Sequence, residues 1–472
     1  MAISQTLLNR TLNQFKRALR FTNVAARDEF KTSVNPDLTD ENLDWVRTHI
    51  QACLDARGGE VSARARAARL GEMYLELNAT GRERFLNLIA TEYDIELDAV
   101  ATLVEKWQNA EDNTTRWGVQ RQLRRALEPR RLDLLRQFNA LDSGVKFLVD
   151  LRADLRRFAR GHKPMIALDN DLRELLTSWF DVGFLDLRRI TWDTPAALLE
   201  KLIEYEAVHA IQSWDDLKNR LAEDRRCYAF FHPRMPDEPL IFVQVALVKG
   251  MSGNVHELLD LTAPLGDAAN ADTAIFYSIS NCQAGLAGVS FGNFLIKRVA
   301  HELARDLPNV KTFATLSPIP GFCGWLAEQL ATDAERLASG DTPPVIHDLT
   351  GERTWAKALP LVLDREDWYQ RADVETALKP VLTPACADYL LNAKRGKSGR
   401  ALDPVAHFHL SNGARVERLN WLGDHSHEGL QRSAGMMVNY LYRLDEVDQN
   451  HESYTGDGEV KASNTVIKST KP

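Results

Sequence analysis

Three short stretches carry residues suited to acid–base or anion chemistry. The first is Leu316-Ser317-Pro318-Ile319-Pro320-Gly321-Phe322. Proline fixes φ, so the prolines flanking Ile319 stiffen the bend and hold Ser317 at its entrance. A hydroxyl fixed in this way can donate to a developing negative charge. The stretch is not G-x-S-x-G, so a nucleophilic serine of hydrolase type has no support. The second is His407-Phe408-His409. Read as a strand, it sets both imidazoles on one face, where either can hold a proton or a metal. No nearby carboxylate or Cys completes a ligand set, so no metal is expected.

The third stretch is rich in glycine. Thr273–Ile279 reads as a strand, and Asn281-Cys-Gln-Ala-Gly285-Leu-Ala-Gly288-Val-Ser-Phe-Gly292-Asn293 follows it. Next comes an amphipathic helix with Ile296, Val299, Ala300 and Leu303 on one face and Lys297, Arg298, Glu302 and Arg305 on the other. Glycines between a strand and a helix let backbone N–H groups approach a phosphate, and the helix dipole adds to the attraction. A tight turn without a ligand is the alternative reading. The spacing fits neither G-x-G-x-x-G nor the Walker A motif, which argues against a Rossmann site and a P-loop.

These stretches need a scaffold. Residues 1–180 read as helix throughout. In the segment from Phe147, apolar Leu148, Leu151, Leu155 and Phe158 recur at three and four, with Asp142 or Ser143 as the cap. Trp45–Ile50 and Arg84–Ala90 read the same way. The plain expectation for this half is helices that pack or oligomerise without chemistry. Residues 181–472 carry β-rich runs at Cys227–Phe231, Leu240–Val248, Thr273–Ile279 and Lys311–Leu316. Ser411-Asn-Gly-Ala414 signals a hairpin between His407–Leu410 and Arg415–Trp421, because Asn-Gly tolerates positive φ. Lys394–Arg400 reads as a surface loop. The expected organisation is a helical domain over 1–180 and an α/β catalytic domain over 181–472.

Composition narrows the function. The chain has 472 residues, 44% of them hydrophobic, and a net charge of −8, which argues against coating nucleic acid. Its five Cys include no CxxC pair, so neither a disulfide framework nor a zinc module is expected. No apolar run spans a membrane. The first 27 residues hold basic but no acidic side chains, which suits either a packing helix or an organellar presequence.

Several ordered motifs resemble the malonyl-CoA decarboxylase family. They are Trp179-Phe-x-x-Gly-Phe-Leu-x-Leu-x-Arg-x-Thr-Trp192, Phe276-Tyr-Ser-Ile-Ser280, Gln283-x-Gly-Leu-x-Gly288, Gly292-x-Phe-Leu-Ile-Lys-Arg-Val299 and Leu316-Ser-Pro-Ile-Pro-Gly-Phe322. Asp403-Pro-Val-Ala-His-Phe-His-Leu-x-Asn-Gly-Ala414 and Ser433-x-Gly-x-Met-x-Asn-Tyr-x-Tyr442 extend the match, as does Phe147–Asp154. The resemblance covers residues 80–465. It implies an α+β protein: an N-terminal all-α bundle followed by a GNAT-type, acetyltransferase-like α/β domain. It implies conversion of malonyl-CoA to acetyl-CoA and CO2, in fatty acid metabolism, with the CoA thioester as substrate and no separate cofactor. A GNAT-type acyltransferase is the alternative.

By the same resemblance Ser317 and His409 are catalytic and Tyr442 is an active-site tyrosine. Ala287, Gly288, Val289, Ser290, Phe291, Gly292 and Asn293 hold the CoA. Ser290 stands where the relatives carry an acidic residue, and His407 where animal relatives carry Asn. A homo-oligomer (dimer or tetramer) is implied, with no nucleic-acid or membrane partner. A cytoplasmic location is expected, with the mitochondrial matrix second.

Overall fold

The computed structural model describes residues 34–180, 182–289, 295–332, 340–396 and 399–470. The chain divides into two compact units. One comprises Met1–Leu185, Phe231–Pro239 and Gln283–Phe291. The other comprises Asp186–Phe230, Leu240–Cys282 and Gly292–Pro472. The basic first 27 residues, Ser290–Asn293, and part of the Lys394–Arg400 loop lie outside the described residues.

The first unit is helical, as the periodicity implies. Its described helices are Asp40–Leu54, Gly59–Glu76, Ala79–Glu92, Leu97–Gln108, Asn113–Ala126, Arg131–Asn139, Gly144–Phe158 and Lys163–Trp179. The three-and-four pattern holds in Gly144–Phe158, which buries Phe147, Leu148, Leu151 and Leu155. The expected cap is absent: Ser143 is left-handed, with φ 57°, and its side chain makes no cap bond. A different device closes that end. Gly144 lies so near Phe138 that a Cβ would sit 2.0 Å from its carbonyl oxygen. Two helices behave unlike the rest. Leu97–Gln108 and Asn113–Ala126 contain no buried residue and leave Trp107 and Trp117 exposed.

The second unit is built on one mixed sheet, ordered β1-β2-β3-β4-β5-β8-β6, with β7 paired to β8. The strands are β1 Asp186–Ile190, β2 Arg225–His232, β3 Met235–Val248, β4 Thr273–Asn281, β5 Thr312–Thr315, β6 Ser317–Pro318, β7 Arg415–Asn420 and β8 Met437–Leu441. β3 pairs antiparallel with β4, and β4 pairs parallel with β5 through the helix Leu295–Asp306. That helix buries Leu295, Ile296, Val299, Ala300 and Leu303, the face read from the sequence. This is the expected α+β organisation, a helical region followed by a mixed α/β sheet domain. No helix among the described residues is long and apolar enough to cross a membrane.

The β4–β5 ladder is short. It ends at Phe276–Thr315, and the Leu316 amide makes the last bond, to the Phe276 carbonyl at 3.0 Å. β4 continues to Asn281, while the other chain turns away as β6 and pairs with β8 at Ser317–Val438. The strands fork there, and Ser317 is the first residue past the fork.

The expected strand at His407–Leu410 is instead a helix, Pro404–Ser411. Asp403 caps it, accepting from the Val405 and Ala406 amides, and Pro404 fills the first turn, where its missing N–H costs nothing. Asn412-Gly413 ends the helix rather than closing a hairpin. Gly413 has φ +81°, and a Cβ there would meet the Val447 carbonyl oxygen at 2.1 Å. His407 and His409 therefore do not share a face. The strand expected after the glycine does form, as β7.

Candidate active site

Ser317, His409 and Tyr442 converge in the interior of the second unit. Ser317 Oγ lies 3.1 Å from His409 Nε2 and donates to Thr315 Oγ1 at 2.8 Å. His409 Nδ1 lies 2.8 Å from the Tyr442 hydroxyl. With Ser317 donating to Thr315, the consistent order is Tyr442 O–H to Nδ1 and Nε2–H to Ser317 Oγ. Rotating the hydroxyls and exchanging the imidazole tautomer reverses it. The result is a neutral chain of hydrogen bonds that can move a proton either way.

Each member is held by a different element. Ser317 is fixed between β5 and the proline bend. His409 sits near the C-terminal end of its helix. Tyr442 follows β8, tied by its amide to the Phe313 carbonyl at 2.8 Å. Thr315 Oγ1 also accepts from the Tyr440 amide at 3.1 Å, which fixes the far end of the chain. The Tyr440 ring stacks on His409 at 4.6 Å and 24°. Ser317 and His409 are 5% and 3% exposed. Burial pushes the His409 pKa down to about 3, so the ring is neutral near pH 7. It acts there as a hydrogen-bonding imidazole, not as an imidazolium acid. Burial also lifts the Tyr442 phenol well above its ordinary range.

His407 is apart from this chain. Its Nδ1 meets the Tyr454 hydroxyl at 2.8 Å. Among the described residues no group of three His, Cys, Asp or Glu side chains could hold a metal ion.

A second buried polar cluster lies on β4 beyond the fork. Glu206 accepts from Ser278 Oγ at 2.7 and 2.8 Å, Ser280 Oγ at 3.2 Å and Gln244 Nε2 at 2.7 Å. It also accepts from the Val208 and His209 amides at 2.9 and 3.0 Å. This pins the segment after the helix Ala196–Tyr205 across the end of β4. Ala207–Ala210 then line one side of a cleft of about 730 Å3, whose other walls include Pro318, Ile319, Pro320 and Val405. The cleft thus meets the residue after Ser317 and the first turn of the His409 helix. The sequence reading missed Glu206 and Thr315, since neither sits in a motif that announces a role.

The described part of the segment proposed for CoA belongs to the helical unit. Of its residues, Ala287, Gly288 and Val289 are described, whereas Ser290, Phe291, Gly292 and Asn293 are not. Gly288 has φ +76°, a conformation that favours glycine. Arg152 donates to the Gly285 and Ala287 carbonyls at 2.7 and 2.9 Å and is itself paired with Asp169 at 2.9 Å. A Cβ at Gly285 would fall 1.7 Å from the Val149 carbonyl oxygen, so only glycine allows this approach. Arg152 lies in the Phe147–Asp154 motif, but its grip on a loop 133 positions away is not legible there.

The family descriptions "Malonyl-CoA decarboxylase N-terminal domain" and "Malonyl-CoA decarboxylase C-terminal domain" match residues 93–180 and 183–472. The mitochondrial malonyl-CoA decarboxylase of Anser anser anser is 37% identical over 86% of this chain and 83% of its own length. That of Rattus norvegicus is 40% identical over 73% of this chain and 72% of its own. The crystal structure of malonyl-CoA decarboxylase from Rhodopseudomonas palustris superposes with a TM-score of 0.81 at 44% identity, covering 90% of this chain and 99% of that one. The structure from Agrobacterium vitis gives 0.80 at 39%, covering 90% and 100%. On these matches, the chain belongs to the malonyl-CoA decarboxylase family.

Proposed function

We propose that this chain is a carboxy-lyase that converts malonyl-CoA to acetyl-CoA and CO2, using Ser317 and His409 without a metal. The observation that carries this reading is the buried Ser317–His409–Tyr442 chain at the strand fork, in a member of this family. An extended pantetheine arm lies between β4 and β6 and uses backbone groups of β4 beyond Phe276, as an added strand would. Ala287–Asn293 takes the pyrophosphate.

Ser317 holds the malonyl carboxylate out of the thioester plane, so the breaking C–C bond aligns with the carbonyl π system. The bonding pair moves into the thioester as CO2 leaves. The neutral His409 N–H stabilises charge on the thioester oxygen, and the hydroxyl–imidazole chain returns a proton to the α-carbon. A neutral ring suits this step, because a cation would favour the carboxylate ground state that must be lost. Tyr442 sets the tautomer of His409.

Malonyl-CoA supplied alone tests the reaction. The expected result is one CO2 and one acetyl-CoA per substrate by mass spectrometry. An acyltransferase would instead require an acceptor amine, so no product without one would overturn the reading. The chain is also proposed to self-associate through Leu97–Gln108 and Asn113–Ala126, whose apolar faces lack buried residues. Trp107→Glu with Trp117→Glu should lower the mass measured by light scattering. An unchanged mass would remove this surface from the assembly.

A further inference from the structure

We infer that Asp403 is a positioning residue that holds the Ser317 bend and the His409 helix in register; this rests on the role proposed for those two residues. Asp403 is 1% exposed and uses its two oxygens differently. Oδ1 caps the helix Pro404–Ser411, accepting from the Val405 and Ala406 amides, each at 2.9 Å. Oδ2 accepts from the Gly321 amide and the Tyr389 hydroxyl, each at 3.3 Å. Gly321 closes the bend that Ser317 opens. One carboxylate therefore joins the elements that carry the two reacting side chains.

The surroundings leave this link little freedom. A Cβ at Gly321 would sit 2.1 Å from the Tyr389 hydroxyl oxygen and 3.5 Å from Asp403 Oδ2. Tyr389 belongs to the helix Ala372–Asn392 and packs on Phe322 and Trp325, just past the bend. The bend, the Tyr389 helix and the His409 helix thus meet at Asp403. The Ser317–His409 contact is between single atoms from two elements, so a small shift of either element opens it. Misplacement by about 1 Å can cost on the order of 10²-fold in rate.

Capping and bridging can be separated by substitution. Serine is a good N-cap but is too short to reach Gly321 and Tyr389. Asparagine in place of Asp403 would cap with its oxygen, but its amide N–H would face the Gly321 N–H and cannot accept from it, so the cap stays and the bridge to the bend is lost. Asp403→Ser should therefore melt within a few degrees of the native chain. It should lower kcat with malonyl-CoA by about 10–100-fold. KM and the inhibition constant of acetyl-CoA should stay within about threefold, since no substrate contact is lost. Asp403→Asn, which also keeps the cap and loses the acceptor for Gly321, should be slowed to a similar degree.

Native kcat in a folded Asp403→Ser protein would overturn the inference. So would a rise in KM equal to the fall in kcat/KM, or an Asp403→Asn protein with native kcat. Ser317→Ala run in parallel keeps the two readings apart. If it is inactive while Asp403→Ser is unaffected, only the positioning role fails. If it is fully active, the Ser317 role itself fails.

Discussion

Two buried polar clusters in the second unit differ in kind. At Glu206 one carboxylate gathers two amides, two hydroxyls and a side-chain amide. At Ser317 the partners are hydroxyls and a neutral imidazole joined end to end. In the first, one carboxylate is the acceptor for five donors, which holds those hydrogens toward it. The second can be polarised either way. A cluster of the first kind fixes backbone; one of the second kind can shift charge without rearranging it. The contrast separates two uses of buried polarity that burial alone does not distinguish.

The contrast breaks first at its strongest point. Ser317→Ala and His409→Ala should each lower kcat by about 10²–10³ with acetyl-CoA affinity kept. Equal turnover in these proteins would make the chain structural. Glu206→Ala leaves buried donors unpaired and should cost roughly 3 kcal/mol in urea unfolding. A Glu206→Ala protein of native stability would remove the clamp.

Smaller effects sharpen the distinction. Tyr442 meets His409 through its hydroxyl and Tyr440 through its ring face, and the Tyr440 hydroxyl has no partner among the described residues. Tyr442→Phe should therefore lower kcat by about tenfold, while Tyr440→Phe stays within about twofold. If the Tyr440 variant is the slower one, the assignment is reversed.

Acid gives the last test. The His409 and His209 pKa values are lowered by burial, to about 3 and about 4. Both lie below the unfolded value of about 6.5, so the unfolded chain binds more protons in between. Stability is then lost as pH falls below about 6.5, by up to about 1.4 kcal/mol per pH unit for each histidine. kcat/KM should show no inflection near 6.5, because the free His409 is already neutral there. A clear inflection that disappears in His409→Ala would show a ring that titrates normally.

The sequence revealed what is local. Apolar runs located β2 to β5, and two prolines marked the bend that fixes Ser317. The fold of His407–Leu410 was misread because alternation over three residues fits a strand, whereas Asp403-Pro404 starts a helix. Partners distant along the chain were invisible. Thr315 looks like any strand residue, and Glu206 meets Ser278 across a separation of 72 positions. Arg152 and the Gly285 loop are matched only by the approach that the absent Cβ permits. The resemblance pointed to Ser317, His409 and Tyr442; it did not say what holds them.

The fork at Leu316 bears on substrate range. Four residue pairs zip β4 to β5 before they part. Beyond them no rung of the ladder needs to break for the gap to widen. On the placement proposed for the thioester, a branched or longer acyl group would be resisted by side-chain bulk along Pro318–Pro320, not by the sheet itself. Selectivity in such a gap can drift through single substitutions while the scaffold stays intact, which makes this bend the natural place for a decarboxylase to acquire a new thioester.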